Sequence, residues 1–160
     1  MERFNHLVAK TIPWLTLLMV LLTFLIVILR YVFERNWIWM QESVIYLHAF
    51  VFLFAAAYAL SRDAHVRVDI LYRPLAAKKK ALVDLLGSLF LLIPACCVIF
   101  YQALPFVLDS WLVFEGSKDP GGLEAIFILK TAIPIFAFLL FLQALSIVHR
   151  SISTLRIAVS

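Results

Sequence analysis

The stretch IPWLTLLMVLLTFLIVILRYVF, residues 12–33, decides the fold of this chain, since Arg30 is its only charged residue. A helix rises 1.5 Å per residue, so about 20 apolar residues cross the roughly 30 Å hydrocarbon core of a bilayer. The run is longer than the roughly 7–15 apolar residues of a secretory signal, and no small-x-small cleavage site follows it. The sequence therefore predicts a retained first membrane span.

Three more apolar runs follow in this chain of 160 residues, which is 64% hydrophobic with a mean hydropathy of +1.00. The four predicted spans cover residues 12–33, 39–61, 82–108 and 124–149. A segment that crosses lipid alone must satisfy its own backbone hydrogen bonds, and the short alternating segments of a barrel are not seen. The sequence therefore predicts an all-α integral membrane protein with one membrane domain, residues 1–160.

The distribution of Lys and Arg predicts the orientation of these spans. Ten of the 14 Lys and Arg residues lie in the amino-terminal segment, the second connection and the carboxy-terminal tail, and four lie on the other side. The positive-inside rule then places both termini in the cytoplasm. The net charge of +4 follows from this topology without a nucleic-acid partner. A basic cytoplasmic face also suits anionic membrane lipids.

Two amphipathic segments, residues 1–11 and 66–81, are expected to lie in the membrane interface with their Lys and Arg side chains snorkelling to the headgroups. Pro74 predicts a bend or a new helix start within the second. That segment begins inside DAHVRVDIL, residues 63–71, which interrupts the apolar runs. The interruption is interpreted as the cytoplasmic turn between spans two and three. It is either a turn in which Asp69 caps the next helix or a docking surface.

Charged side chains near span ends are the main candidates for function, because polar groups inside a membrane are costly. Arg30 ends the first span and Glu42 begins the second, so the two lie at similar depth and could form a pair. They are interpreted as structural anchors or as contacts with a partner protein. Lys130, near the outer end of span four, is expected to snorkel.

Other polar groups have structural interpretations. His48 is the one histidine well inside a span, and a b-type haem would need a second one on a facing helix, so a hydrogen-bonded packing role is expected. Alanines at 55, 56, 57 and 59 narrow the inner half of span two and permit close approach of another helix. Cys96 and Cys97 point about 100° apart on a helix and are expected to be packing residues. No catalytic triad, phosphate-binding loop or metal cluster occurs, so neither enzyme activity nor a cofactor is expected.

An ordered series of motifs resembles the small membrane subunit of tripartite ATP-independent periplasmic (TRAP) transporters. The series is Arg30-Tyr31-x-Phe33, then Trp39-x-x-Glu42-x-x-x-Tyr46, then Arg62-x-x-His65-Val66-x-Val68-Asp69. Later stretches look like the same family: Ser117-x-Asp119-Pro120-Gly121-Gly122-Leu123, Leu129-Lys130-x-x-Ile133-Pro134 and Leu139-Leu140-x-Leu142-Gln143. The chain departs from the family at Gln41, Phe50 and Ala55, where an acid, a tryptophan and a glycine are frequent.

The resemblance implies a complex in a bacterial or archaeal inner membrane. In this family a periplasmic binding protein captures an organic acid, and a large membrane subunit holds the substrate and sodium sites. The small subunit packs against the large one without catalysing transport itself. The structural or partner-contact candidates are Arg30, Glu42, Tyr46, Arg62, His65, Asp69 and Lys130.

An alternative interpretation is a self-sufficient four-helix exporter that dimerises. Such a protein should carry a carboxylate deep in an early span to bind a proton or cation. Span one has none, and Glu42 lies near the edge of span two. The sequence therefore favours the subunit over the exporter, and it does not select a substrate.

Overall fold

The computed structural model describes residues 2–61, 72 and 74–157, with side chains from residue 8 to 60, at 72 and from 74 to 157. Within these ranges the chain is helical and contains no β-strand. The helices are α1 (Glu2–Tyr31), α2 (Ile38–Ser61), α3 (Ala77–Leu112) and α4 (Ile126–Ile157). All four of these described helices are long and apolar enough to cross a membrane, which confirms the all-α, four-span fold.

The helices are longer than the predicted spans, although α1 ends and α4 begins two residues inside the predicted bounds. At 36 residues, α3 is about 54 Å long and exceeds the hydrocarbon thickness of a bilayer. Residues 2–11 form the first part of α1, without a break before the first span. In the second amphipathic segment, a turn at Pro74 precedes residues 77–81, which are the first turns of α3. Residues 66–71 and 73 lie outside the described part of the chain.

The helices do not pack in their order along the chain. Helix α1 packs against α2, α2 also packs against α4, and α4 packs against α3. The connections of residues 32–37 and 113–125 meet at one end of the helices, hereafter the two-loop end. There the backbone N–H of Trp39 donates to the carbonyl of Gly121 at 3.2 Å. This bond satisfies one of the backbone donors that the start of a helix leaves without a partner.

Helix α4 supplies much of the buried core. Ala132, Ala137 and Ala144 are at most 1% exposed, and their small side chains let neighbouring backbones approach closely. A cluster of buried apolar residues comprises Ala57, Leu60, Cys96, Leu140 and Ile147. The burial of Ala57 agrees with the predicted close approach at the inner half of span two. Cys96 packs in the core as predicted, whereas the same prediction is wrong for Cys97, which lies on the exposed side of the helix.

A π-helical turn, Ser88–Leu92, interrupts α3. Its end is marked by a hydrogen bond from the N–H of Ile93 to the carbonyl of Ser88, five residues back. Pro94 follows directly, has no N–H to donate and crowds the preceding turn of a regular α-helix. A single π turn is a common accommodation of such a disruption.

Candidate functional site

The Glu42 clamp, which joins Glu42 to Ser117 and the backbone of Leu123, holds the two-loop end together. One carboxylate oxygen, Oε1, accepts a hydrogen bond from the Ser117 hydroxyl. The other, Oε2, accepts the backbone N–H of Leu123 at 2.5 Å. These partners lie 75 and 81 residues away in sequence. The carboxylate of α2 therefore fixes the connection between α3 and α4.

The loop that Glu42 binds has its own hydrogen bonds. The N–H of Ser117 donates to the carbonyl of Leu123 at 2.9 Å, and that of Gly122 donates to the carbonyl of Asp119 at 3.0 Å. The N–H of Asp119 donates to Ser117 Oγ at 3.1 Å. The Ser117 hydroxyl thus accepts from within the loop while it donates to Glu42, and it couples the turn to α2.

The two glycines of Asp-Pro-Gly-Gly permit this loop. Gly121 has φ +80°, a left-handed conformation that glycine adopts at no steric cost. At Gly122 a β-carbon would lie 2.7 Å from Glu42 Oε2 and closer still to Ser117. The Glu42 clamp therefore leaves room only for glycine at position 122.

A second group of polar contacts, the Lys130 cluster, consists of Lys130, Glu115, Ser110 and Phe106. The ammonium of Lys130 pairs with Glu115 Oε2, which also accepts the Ser110 hydroxyl at 2.7 Å. The same ammonium lies 3.9 Å from the centre of the Phe106 ring, within cation–π range. The hydrogen bonds from Lys130 and from Ser110 lower the pKa of Glu115 below its usual 4.5.

The Lys130 cluster joins the end of α3 to the start of α4. Next to it, the indole N–H of Trp111 donates to Thr131 Oγ1 at 2.9 Å. The Trp111 ring also packs edge-on against Phe127, with 4.6 Å between ring centres. Ion pair, hydrogen bond and aromatic contact together fix the angle at which the two helices meet.

The structure brings three of the predicted candidates to the two-loop end. Glu42 and Lys130 each bind the connection between α3 and α4, and Tyr46 lies one turn after Glu42 on the same face of α2. The hydroxyl of Tyr46 is buried, without a hydrogen-bond partner in the described part of the chain. The polar contacts of Glu42 and Lys130 are thus made within the chain itself.

The possible pair between Arg30 and Glu42 does not form within the described chain. Both oxygens of Glu42 already accept hydrogen bonds from the other connection. Arg30 is exposed, and its guanidinium lies 5.9 Å from the centre of the neighbouring Tyr31 ring. The three remaining candidates, Arg62, His65 and Asp69, lie outside the described residues.

His48 differs from its expected packing role. Its side chain is exposed, and its ring stacks on Phe52 with 6.3 Å between ring centres. The expectation of a hydrogen-bonded packing histidine is therefore wrong for the chain by itself. Among the described residues, no three His, Cys, Asp or Glu side chains are placed to hold a metal ion.

Sequence reasoning assigned no contact to Glu115, Ser110 or Ser117. The Asp-Pro-Gly-Gly run does indicate a turn after Ser117. The identity of the acid that this turn binds depends on how α2 packs, which local sequence does not encode. The partner of Lys130 was missed for the same reason, because Glu115 lies 15 residues away on another element.

The fold defines a multi-pass helical membrane protein, and comparison with known proteins identifies the family. The model described as "Tripartite ATP-independent periplasmic transporters, DctQ component" matches residues 19–154. The chain belongs to this family of TRAP transporter small subunits, as its motifs predicted. Members of this family are components of transporters, and the family is not a known family of enzymes.

A named relative is the C4-dicarboxylate TRAP transporter small permease protein DctQ of Vibrio cholerae serotype O1. It is 32% identical to this chain over 93 residues, which are 58% of this chain and 37% of the relative. The match thus spans well under half of the relative's length. No solved structure matches this chain.

Proposed function

We propose that the chain is the non-catalytic small subunit of a TRAP-type secondary transporter. It scaffolds a large permease subunit during ion-coupled uptake of organic acids that a periplasmic binding protein delivers. The observation that carries this proposal is the open order of packing, α1–α2–α4–α3. In the most apolar part of α1, no residue is fully buried by the rest of the chain, although this helix packs against α2. A small subunit with so much uncovered helix surface is suited to bind a larger membrane protein along its length.

The two-loop end faces the periplasm in this proposal, and both termini face the cytoplasm of a bacterial or archaeal cell. The asymmetry of Lys and Arg supports this orientation in the inner membrane. The Glu42 clamp and the Lys130 cluster then shape the surface that lies beside the incoming binding protein. Loops held at both ends offer a preformed surface, which lowers the entropy lost on binding.

The substrate and sodium sites belong to the large subunit in this proposal. The acidic residues of the described membrane-length segments lie towards the helix ends, at Glu42, Asp84 and Asp109. Glu42 is engaged by the loop, and Asp84 accepts a hydrogen bond from the Tyr72 hydroxyl at 2.8 Å. This distribution supports a scaffold over the self-sufficient dimeric exporter, which would use a carboxylate deep in an early span.

Reconstitution tests the proposal. The chain, the large subunit and the binding protein are placed together in proteoliposomes, and uptake of a panel of organic acids is measured with and without a sodium gradient. C4-dicarboxylates, the substrates in the name of the Vibrio relative, come first in the panel. We expect gradient-dependent uptake that falls to background when this chain is left out. Undiminished uptake without it would contradict the proposal, and solute flux through the purified chain alone would support the exporter.

A further inference from the structure

The hydroxyl of Tyr46 is a donor that the fold leaves without a hydrogen bond among the described residues. The side chain as a whole is partly exposed on α2, whereas the hydroxyl oxygen at its tip is buried. Buried hydroxyl groups nearly always have a protein or water partner, since the loss of bulk water is otherwise uncompensated. The Tyr46 hydroxyl therefore requires an acceptor that no described residue supplies directly.

The position of Tyr46 directs this hydroxyl towards the two-loop end. Aromatic side chains on a helix lean back towards the helix N-terminus, which for α2 is Ile38. Tyr46 follows Glu42 by one turn, and Glu42 binds Ser117 in the connection between α3 and α4. The hydroxyl is thus directed towards that connection, where the Glu42 clamp and the Lys130 cluster meet.

Glu115 supplies an unused acceptor in the same region. Its Oε2 accepts both hydrogen bonds of the Lys130 cluster, whereas its Oε1 accepts none from the described residues. Glu115 precedes Ser117 by two residues, so their Cα atoms are at most about 7 Å apart. The carboxylates of Glu42 and Glu115 both lie close enough to interact electrostatically with the Tyr46 hydroxyl. An unpaired donor and an unpaired acceptor are therefore neighbours that do not touch.

One water molecule has the size and the chemistry to join these two groups. A buried water makes about three hydrogen bonds, typically to polar groups that lack other partners. Here the water accepts a hydrogen bond from the Tyr46 hydroxyl and donates one to Glu115 Oε1, which satisfies both groups. A cation is a poorer occupant, because the ammonium of Lys130 already supplies the positive charge beside Glu115.

We propose that a water molecule bridges the Tyr46 hydroxyl and Oε1 of Glu115, so that Tyr46 ties α2 to the Lys130 cluster. The contacts of that cluster alone join only α3 and α4. With the bridge, the cluster becomes continuous with the Glu42 clamp through α2, and the two-loop end contains one polar network across three helices. The bridge lies within the chain, so it does not depend on the proposed function.

The unfolding temperature of the purified chain in detergent gives the first test. Tyr46→Phe removes only the hydroxyl, and we expect a fall of about 2–4 °C, the shift for one hydrogen bond in a chain of this size. An unpaired buried hydroxyl predicts the opposite sign, because phenylalanine removes an unsatisfied polar group. Tyr101→Phe is the control, since that side chain is 75% exposed on α3, and it should have no effect. An unchanged or raised temperature for Tyr46→Phe overturns the proposal.

A double-mutant cycle then identifies the acceptor. In the Glu115→Ala background, which lacks the acceptor, Tyr46→Phe should cost no more than Tyr101→Phe. In the Ser117→Ala background, which weakens the Glu42 clamp and leaves Glu115 in place, Tyr46→Phe should still lower the unfolding temperature. If the loss persists without Glu115, or disappears without the Ser117 hydroxyl, the partner lies elsewhere and the assignment is wrong.

An experimental structure of the chain, at a resolution that shows ordered water, tests the bridge directly. We expect a water within hydrogen-bond distance of both Tyr46 Oη and Glu115 Oε1. A direct contact between these two oxygens, or a site between them without ordered water, would overturn the bridge.

Discussion

Single residues at the two-loop end connect parts of the chain that lie far apart in sequence. Glu42 is the clearest case, because its two oxygens bind Ser117 and Leu123 while its backbone belongs to α2. Glu115 has the same function between α3 and α4, through Ser110 and Lys130. Hydrogen-bond donors that the fold supplies take the place of the water molecules that would otherwise bind each carboxylate.

Gly122→Ala should destabilise the subunit. The added methyl group would meet Ser117 and Glu42, so the loop must move and weaken the Glu42 clamp. Overpacking of this kind costs about 1–3 kcal/mol. Thermal unfolding in detergent, followed by size-exclusion chromatography, measures the loss.

Gly87→Ala is the matched control for that substitution. A β-carbon there meets nothing within 4 Å, and Gly87 has the helical angles φ −60° and ψ −42°. Alanine is favoured over glycine inside a helix by about 0.5–1 kcal/mol, so stability should stay equal or rise. A similar loss in both variants would mean that the clamp is not responsible.

Glu115→Gln should reduce stability at neutral pH and lose its effect in acid. The folded state lowers the pKa of Glu115 below 4.5, first through Lys130 and then through Ser110. The ionised carboxylate therefore contributes stability above its unfolded pKa, and this contribution is lost as the pH falls through the lowered folded pKa. Unfolding temperatures of both proteins, measured from about pH 7 to about pH 3, should converge at the acid end. Glu34→Gln, at an exposed glutamate, provides the control and should show no such convergence.

Local sequence predicted the role of some residues and not of others, for a physical reason. The hydropathy of a segment is a local property, so the four spans could be predicted, whereas local sequence did not distinguish the buried Cys96 from the exposed Cys97. The contacts of Glu42 and Lys130 depend on how separate helices pack, and many partners at similar depth compete for each charge. The pair of Arg30 with Glu42 was suggested because only the short connection of residues 32–37 separates their helices. In the structure Glu42 instead binds the connection of residues 113–125, which is more distant in sequence.

At the scale of the element, α4 is the helix on which the core depends. It packs against α2 and α3, and its buried stripe contains alanines that set the distance between the helices. The composition of span four alone did not indicate this central position. Its apolar residues are as suitable for contact with lipid as for contact with protein, so hydropathy does not distinguish the two surfaces.

Ala144→Leu should disrupt the packing of α4. Ala144 is 0% exposed, so three added carbons must displace a neighbouring helix, at a cost of about 1–3 kcal/mol. Ala95→Leu makes the same change at an exposed position of α3 and should be tolerated. Unfolding temperature and monodispersity in detergent report the difference. Equal behaviour of the two variants would argue against α4 as the central helix.

At the scale of the molecule, the two ends of the helices differ in composition. The two-loop end contains the Glu42 clamp and the Lys130 cluster, whereas residues 62–80, between the second and third spans, contain six of the 14 Lys and Arg residues. By the positive-inside rule, this charge asymmetry predicts that the two-loop end faces the periplasm.

Lys79→Cys and Lys118→Cys should be labelled from opposite sides of the membrane. Both positions are exposed, one near the start of α3 and the other in the loop that follows it. With Cys96 and Cys97 replaced by alanine, a membrane-impermeant maleimide should modify the cysteine at 118 in intact spheroplasts. It should reach the cysteine at 79 only after permeabilisation. Labelling of both from one side would contradict the four-span topology.

The order of packing has a consequence for biosynthesis. Of the described helices, α4 leaves the ribosome last, yet it alone makes extensive contacts with both the α1–α2 hairpin and α3. A nascent chain without α4 lacks the helix that joins α3 to the α1–α2 hairpin. The packing of the described helices can therefore be completed only after α4 has been inserted.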